Sequence, residues 1–175
     1  MRCFIALEIS GEIKGKLEKV KRELGIDGLK LVEPENTHLT LKFLGEVEEE
    51  QVENVKKALD GLARNSFSMK VQGIGVFPKP EFVRVVWAGA ESEELKQLAE
   101  DLNEALAKLG FKQESFTGHV TLARVKKKVD LSSFITSHEK DEFGESKISR
   151  IILKNSTLTP KGPVYEDVYE VKLKD

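Results

Sequence analysis

Two stretches of the sequence, HLTLKFLG at residues 38–45 and HVTLARV at residues 119–125, carry the same short motif. In each, a histidine is followed by a threonine two places later and a leucine three places later. Both stretches alternate polar and apolar residues, which is the pattern of a half-buried β-strand. Side chains two places apart in a strand lie on one face, about 7 Å from each other. We therefore expect each histidine to share a face with its threonine, while the leucines point into the core.

Strict alternation extends these assignments to the residues that follow each motif. In the first stretch, Phe43 falls on the apolar face with the leucines, and Lys42 falls on the polar face with His38. In the second stretch, Arg124 falls on the face opposite His119. A β-bulge or the end of the strand would be needed to turn Arg124 towards the histidine.

The order of elements around each motif is also repeated. A strand at residues 2–9, a helix after Ser10 and the first motif are followed by a strand at residues 82–90, a helix over about residues 91–109 and the second motif. An offset of 81 residues superimposes one set on the other. We therefore predict one bilobal domain spanning residues 1–175, with two similar halves whose motifs meet in a shared cleft.

Composition limits the class of protein. The chain has 175 residues, of which 33% are charged and 39% hydrophobic, and this favours a globular protein over a disordered or membrane chain. Its 28 Lys+Arg and 30 Asp+Glu leave a net charge of -2, so no overall positive field attracts a long nucleic acid. The only cysteine, Cys3, excludes an internal disulfide, and no signal peptide or membrane span is recognised. These features predict a cytoplasmic protein with no membrane partner.

Two histidines in one cleft indicate acid–base chemistry. Imidazole titrates near neutral pH, so one of His38 and His119 can accept a proton while the other donates one. The hydroxyls of Thr40 and Thr121 can donate to the non-bridging oxygens of a phosphoryl group held between the histidines. The pattern predicts metal-free phosphodiester chemistry at these four side chains.

Three other interpretations of the motifs were weighed. Chance alone would produce the pair with a probability on the order of one in ten thousand. Either motif by itself would fit a solvated sheet face, but two at matching places in a repeat favour a site. A zinc site needs three or four protein ligands, and neither motif has Cys, Asp or Glu at ligand spacing, so no metal and no cofactor is predicted. His138 has no threonine two places later, and its charged surroundings predict a surface loop without a role.

Three segments resemble a known family: RCFIAL at the start of the chain, ENTHLTLKFLGEV around the first motif and FTGHVTLAR around the second. They are similar to the 2H phosphoesterase superfamily, in particular its RNA 2′,3′-cyclic phosphodiesterase family, also called 2′-5′ RNA ligase (LigT/ThpR-like). The resemblance covers nearly the whole chain. It implies an α+β, bilobal fold in which two similar halves, with antiparallel sheets flanked by helices, surround a central cleft.

The resemblance also implies an activity and roles for the site residues. The activity is hydrolysis of an RNA or nucleotide 2′,3′-cyclic phosphate to a 2′-phosphomonoester, by an RNA 2′,3′-cyclic 3′-phosphodiesterase. His38 is expected to protonate the leaving 3′-oxygen, and His119 is expected to take a proton from the attacking water. Thr40 and Thr121 are expected to bind the phosphate, and Arg124 to contact it. The residues themselves do not decide which histidine is the acid.

The expected partners are RNA 3′ ends, tRNA fragments among them, or small cyclic nucleotides, acted on by a monomer. Two alternatives stay open on the sequence. By microscopic reversibility the same residues would serve a 2′-5′ RNA ligase, and the cleft would also suit a non-catalytic nucleotide- or RNA-binding module. Aromatic side chains such as Phe43 are candidates for stacking on a base. The apolar face assigned to Phe43 favours a core position, and no aromatic residue is given this role.

Overall fold

The computed structural model describes all of residues 1–175 and contains nine strands, four α-helices and one turn of 3-10 helix, Pro34–Asn36. The strands are β1 (Arg2–Leu7), β2 (Leu29–Leu31), β3 (Leu39–Glu46), β4 (Phe67–Lys79), β5 (Phe82–Glu91), β6 (His119–Val125), β7 (Glu142–Ile148), β8 (Arg150–Thr159) and β9 (Gly162–Lys172). The helices are α1 (Gly11–Arg22), α2 (Glu49–Asp60), α3 (Glu93–Ala107) and α4 (Ser132–His138). The predicted α+β class is confirmed.

All strand pairs are antiparallel and belong to one sheet, in the order β7-β4-β5-β6-β3-β1-β8-β9, with β2 added to β6. The two motif strands, β6 and β3, meet at its centre through the single residue pair Leu39–Val120. Outward from this pair, β6-β5-β4-β7 on one side mirrors β3-β1-β8-β9 on the other. The two predicted halves are thus present, joined in one continuous sheet.

Strand register follows the repeat residue by residue. Each pair between β1 and β3 becomes a pair between β5 and β6 when both numbers are raised by the same 81-residue offset. The pairs are Leu7 with Leu39 and Ala6 with Thr40 in the first half, and Ala88 with Val120 and Trp87 with Thr121 in the second. The repeat inferred from the sequence therefore describes backbone pairing and not only the order of elements.

A β-bulge follows the threonine of the first motif. Leu41 has no partner of its own in the register of β3 against β1, so Leu41 and Lys42 both turn to the core face and are 8% and 6% exposed. Lys42 Nζ donates to Asn103 Oδ1 at 3.0 Å and to the carbonyl of Lys112. Phe43 then falls on the opposite face and is 67% exposed. The predicted faces of Lys42 and Phe43 are wrong, because the bulge shifts the alternation by one residue.

The second motif strand has a bulge at the equivalent position. The register of β6 against β5 skips Leu122, and both Leu122 and Ala123 are completely buried. Arg124 pairs with Val85, and since cross-strand partners share a face, it lies on the same face as Thr121. Strict alternation, which put Arg124 away from His119, is wrong here for the same physical reason.

One face of the sheet is covered by helices and forms a single core of 37 buried residues. Helix α3 contributes apolar residues at helical spacing, and Ser92 caps its N-terminus by accepting a hydrogen bond from the Leu95 amide at 3.0 Å. None of the helices has the length and apolar character needed to span a bilayer. The curled sheet leaves its other, concave face free of helices at the centre, and the motif histidines face that side.

Candidate active site

The four polar motif side chains meet where the two halves join. In an antiparallel pair, the residues on either side of Leu39 and Val120 are also neighbours across the strands. The side chains of these neighbours point to the face opposite the two apolar residues. Each motif histidine therefore lies beside the threonine of the other motif, and the four side chains form a cradle on the concave face.

His38 sits between two aromatic rings. Its Nε2 lies 2.9 Å from the hydroxyl oxygen of Thr40. The ring of Phe4 stacks on the imidazole at a centroid distance of 5.1 Å and an angle of 21°, and Tyr165 approaches it edge-on at 5.5 Å. This packing holds the imidazole plane in one orientation and removes it from water.

The same surroundings change the proton affinity of His38. Burial lowers the pKa of His38 to about 4, the positive charge of Lys154 acts in the same direction, and a hydrogen bond to the Asn36 carbonyl opposes both. His38 is therefore neutral at pH 7 in the free protein. A bound phosphate adds negative charge and raises this pKa again.

We expect this low pKa to appear as pH-dependent stability. An unfolded imidazole takes up a proton near pH 6.5, whereas folded His38 does so only near 4, so stability present above pH 6.5 is lost as the pH falls. Between pH 7 and pH 5, the free energy of unfolding of the wild-type protein should fall by about 2 kcal/mol more than that of His38→Gln. Urea unfolding at the two pH values measures this difference.

His138 provides a control of opposite sign. Burial alone lowers its pKa, but hydrogen bonds and charges from Asp141 and Glu23 outweigh burial and raise it. This contribution is present at low pH and is lost as the pH rises, so His138→Gln should be less stabilised by acid than the wild type. Identical pH dependence in the wild type and His38→Gln would contradict the burial of His38.

The setting of His138 also differs from its predicted surface loop. It is the last residue of α4, and its side chain is only 15% exposed. Nδ1 lies 2.5 Å from Asp141 Oδ2, and Nε2 lies 3.0 Å from Glu23 Oε2. His138 thereby ties the end of α4 to the segment that follows α1. The charged residues around it are its partners, and this is why they resembled a solvated loop in the sequence.

The tautomer of His119 follows from its hydrogen bond. Its Nδ1 lies 2.8 Å from the carbonyl oxygen of Thr117, and a carbonyl can only accept, so Nδ1 carries the proton. In the neutral ring the lone pair is then on Nε2. Phe77 packs edge-on against the ring at 5.1 Å, and Trp87 lies 6.4 Å away. His119 is thus oriented as a proton acceptor through Nε2.

Arg124 adds a positive charge at the His38 end of the cradle. Burial raises the pKa of Tyr165, and the charge of Arg124 acts in the opposite direction, so the guanidinium lies near the tyrosine that borders His38. With Arg124, all five site residues predicted from the sequence lie on the concave face. Their roles in binding and catalysis stay predictions.

Two residues near the histidines escaped the sequence analysis. Lys154 lies on β8, far along the chain from either motif, and no local pattern links it to His38. Trp87 pairs with Thr121 in the way that Ala6 pairs with Thr40. The 81-residue offset, applied to strand pairing, would have identified Trp87 but not Lys154.

A cavity of about 620 Å³ extends the cleft beyond His119. Its lining includes Thr117 and Gly118, which lead into the second motif, together with Trp87. All of its lining residues belong to the second half of the sheet or to the turn after α4. No group of three or more His, Cys, Asp or Glu side chains is arranged to hold a metal ion.

Two histidine–threonine pairs facing each other across a repeated antiparallel fold define the 2H phosphoesterase class. The family model described as LigT like Phosphoesterase matches this chain twice, at residues 7–87 and 88–165. The two matches begin 81 residues apart, the spacing that also separates His38 from His119. The chain belongs to the LigT-like phosphoesterase family.

Relatives and solved structures agree with this membership. A protein of Archaeoglobus fulgidus named RNA 2′,3′-cyclic phosphodiesterase is 41% identical over 172 residues, covering 96% of this chain and 98% of its own length. One of the same name from Methanocaldococcus jannaschii is 40% identical, with 97% and 99% covered. The crystal structure of TT0787 of Thermus thermophilus superimposes with a TM-score of 0.89 at 32% identity, covering 99% of this chain and 98% of that one. Apo LigT of E. coli, at 24% identity and a TM-score of 0.82, shares the fold.

Proposed function

We propose that this protein is a hydrolase that opens the 2′,3′-cyclic phosphate of RNA 3′ ends or nucleotides to a 2′-phosphomonoester. The observation that carries the proposal is the cradle, in which each motif histidine lies beside the threonine of the other motif. The names of the relatives, RNA 2′,3′-cyclic phosphodiesterase, support the choice of substrate. No observation favours the reverse ligation or a non-catalytic binding module.

The cyclic phosphate binds in the cradle through its two non-bridging oxygens. The hydroxyls of Thr40 and Thr121 donate to these oxygens, one from each half of the sheet. Arg124 donates from the His38 end and offsets the negative charge that grows on the phosphoryl group during the reaction. The substrate is thereby held with its phosphorus between the two imidazoles.

Catalysis then needs one proton removed and one supplied. Nε2 of His119 takes a proton from a water molecule as the water oxygen bonds to phosphorus. The bond between phosphorus and the 3′-oxygen breaks, and His38 gives its proton to that oxygen. The product is a 2′-phosphomonoester with a free 3′-hydroxyl, and the proton taken by His119 restores the starting state after exchange with solvent.

The lowered pKa of His38 links its proton to the substrate. In the free protein the imidazole is neutral at pH 7, because its pKa is about 4. The anionic phosphate lies next to the ring in this scheme and stabilises the imidazolium form. His38 therefore becomes an effective acid when substrate is bound, and a neutral ring is restored when product leaves.

Phosphorus NMR tests the reaction directly. Adenosine 2′,3′-cyclic phosphate incubated with the protein in EDTA should convert to adenosine 2′-phosphate at the same rate as without EDTA. The product resonance distinguishes a 2′- from a 3′-phosphate and so reports which oxygen left. No conversion would refute the proposal, and a 3′-phosphate product would mean that the other oxygen is protonated.

We further propose that the protein acts as a cytoplasmic monomer and that residues 1–175 form one domain. A single hydrophobic core includes residues from both halves, which supports one folding unit. The free, buried Cys3 suits a reducing compartment. With a net charge of -2, the protein is better suited to an RNA end than to a long duplex.

A further inference from the structure

Phe43 is an exposed aromatic residue on the functional face of the sheet. It is 67% exposed, although a phenylalanine ring in water lacks the contacts that stabilise it in a core. Its cross-strand partner is Phe4, and since partners share a face, Phe43 lies on the concave side with the motif threonines. The bulge at Leu41 is what turns the ring out of the core.

An aromatic chain connects Phe43 to the cradle. The rings of Phe43 and Phe4 have centroids 6.0 Å apart, and Phe4 in turn stacks on His38 at 5.1 Å. Phe4 is only 3% exposed, so Phe43 is the member of this chain that presents a free ring face. A planar ligand group that reaches past the phosphate site would meet this face.

The repeat assigns Phe43 a counterpart in the other half. The pair of Phe43 with Phe4 corresponds, at the 81-residue offset, to the pair of Arg124 with Val85. The two halves therefore place an aromatic ring and a guanidinium at equivalent positions on opposite sides of the cradle. The guanidinium suits the phosphate, and the ring suits an uncharged, planar group.

We propose that Phe43 is the platform on which the nucleobase of the substrate stacks. The inference rests on the proposed function, which locates the phosphate between the histidines. Stacking on an aromatic face is available to every base, because each has a π-face, so Phe43 favours a base without selecting its sequence. The substrate class is accordingly a nucleotide or RNA end with any terminal base, in preference to a sugar cyclic phosphate that lacks a base.

Binding of the product tests the platform independently of turnover. Removal of a stacking ring weakens binding by about 5- to 150-fold, so calorimetry should show this loss for adenosine 2′-phosphate with Phe43→Ala. Phe43→Tyr should bind like the wild type. Methyl riboside 2-phosphate, which lacks the base, should bind the wild type and Phe43→Ala equally. In turnover of the cyclic nucleotide, Phe43→Ala should raise KM and leave kcat nearly unchanged.

Phe82 supplies a matched control. It is also an exposed phenylalanine, at 51%, but alternation along β5 puts it on the face opposite Trp87. Phe82→Ala should therefore bind adenosine 2′-phosphate like the wild type. Equal affinity of Phe43→Ala and the wild type, or no binding to either, overturns the stacking inference. Absence of turnover in the wild type with binding that still depends on Phe43 contradicts the proposed function instead.

Discussion

His38→Ala and His119→Ala are each expected to lower kcat/KM for adenosine 2′,3′-cyclic phosphate by about 10²- to 10⁴-fold. Each variant loses one of the two proton transfers, and no other titrating side chain in the cradle can replace it. The orienting contacts of the two rings, to Thr40 and to the Thr117 carbonyl, leave the backbone in place when the ring is removed. Initial rates across the pH range measure the loss.

The double variant and His138→Ala complete this test. Because the two histidines act on one reaction step, removing both should cost much less than the product of the single losses. His138 lies outside the cradle and pairs with Glu23 and Asp141, so His138→Ala should retain activity within a few fold when folded. A single motif variant with wild-type activity would exclude two-histidine catalysis.

Gly118→Ala is expected to cause the second large loss, through the backbone. A Cβ at Gly118 would lie within 2.1 Å of the Ala90 carbonyl oxygen, while the Ala90 amide donates to the Gly118 carbonyl at 3.0 Å. The strands cannot relieve this clash without moving the chain that leads directly into His119. A displacement of roughly 1 Å in a catalytic group can cost about 10²-fold in rate. We expect a fall of that size in kcat, together with a loss of about 1–3 kcal/mol in the free energy of unfolding.

Gly15→Ala is the matched control for this substitution. Gly15 lies inside α1, and a Cβ there meets nothing within 4 Å. The change should raise the free energy of unfolding by about 0.5–1 kcal/mol, since alanine is the better helix former, and leave kcat unchanged. Urea unfolding and steady-state rates on both variants would decide the matter. Wild-type rates in Gly118→Ala would show that β6 tolerates movement at its start.

Much of this arrangement follows from periodicity, but the faces after each motif do not. The first residues of β3 and β6 alternate as expected, and the repeat predicts their pairing. The bulges depend on the register against neighbouring strands, which no local pattern encodes. HLTLK and HVTLA read as regular strands, because a lysine that is buried by hydrogen bonds to Asn103 and the Lys112 carbonyl looks like a surface residue in sequence.

Long-range contacts account for the other differences. His138 is paired with Glu23, more than a hundred residues earlier, and Lys154 influences His38 from a strand that the motif does not include. Only the folded sheet brings these groups together. The central prediction depended on two motifs with equal spacing in two similar halves. It needed no information about distant partners, and this is why the fold and the cradle could be anticipated.

The near symmetry of the two halves has a consequence for product choice. A 2′,3′-cyclic phosphate is itself nearly symmetrical, since its 2′- and 3′-oxygens are exchanged by a half-turn about the phosphorus. A cradle with identical halves would accept both orientations and release a mixture of two regioisomers. Phe43 opposite Arg124 removes this degeneracy, because only one orientation stacks the base on the ring. Divergence at one equivalent position thus gives a duplicated fold its regioselectivity.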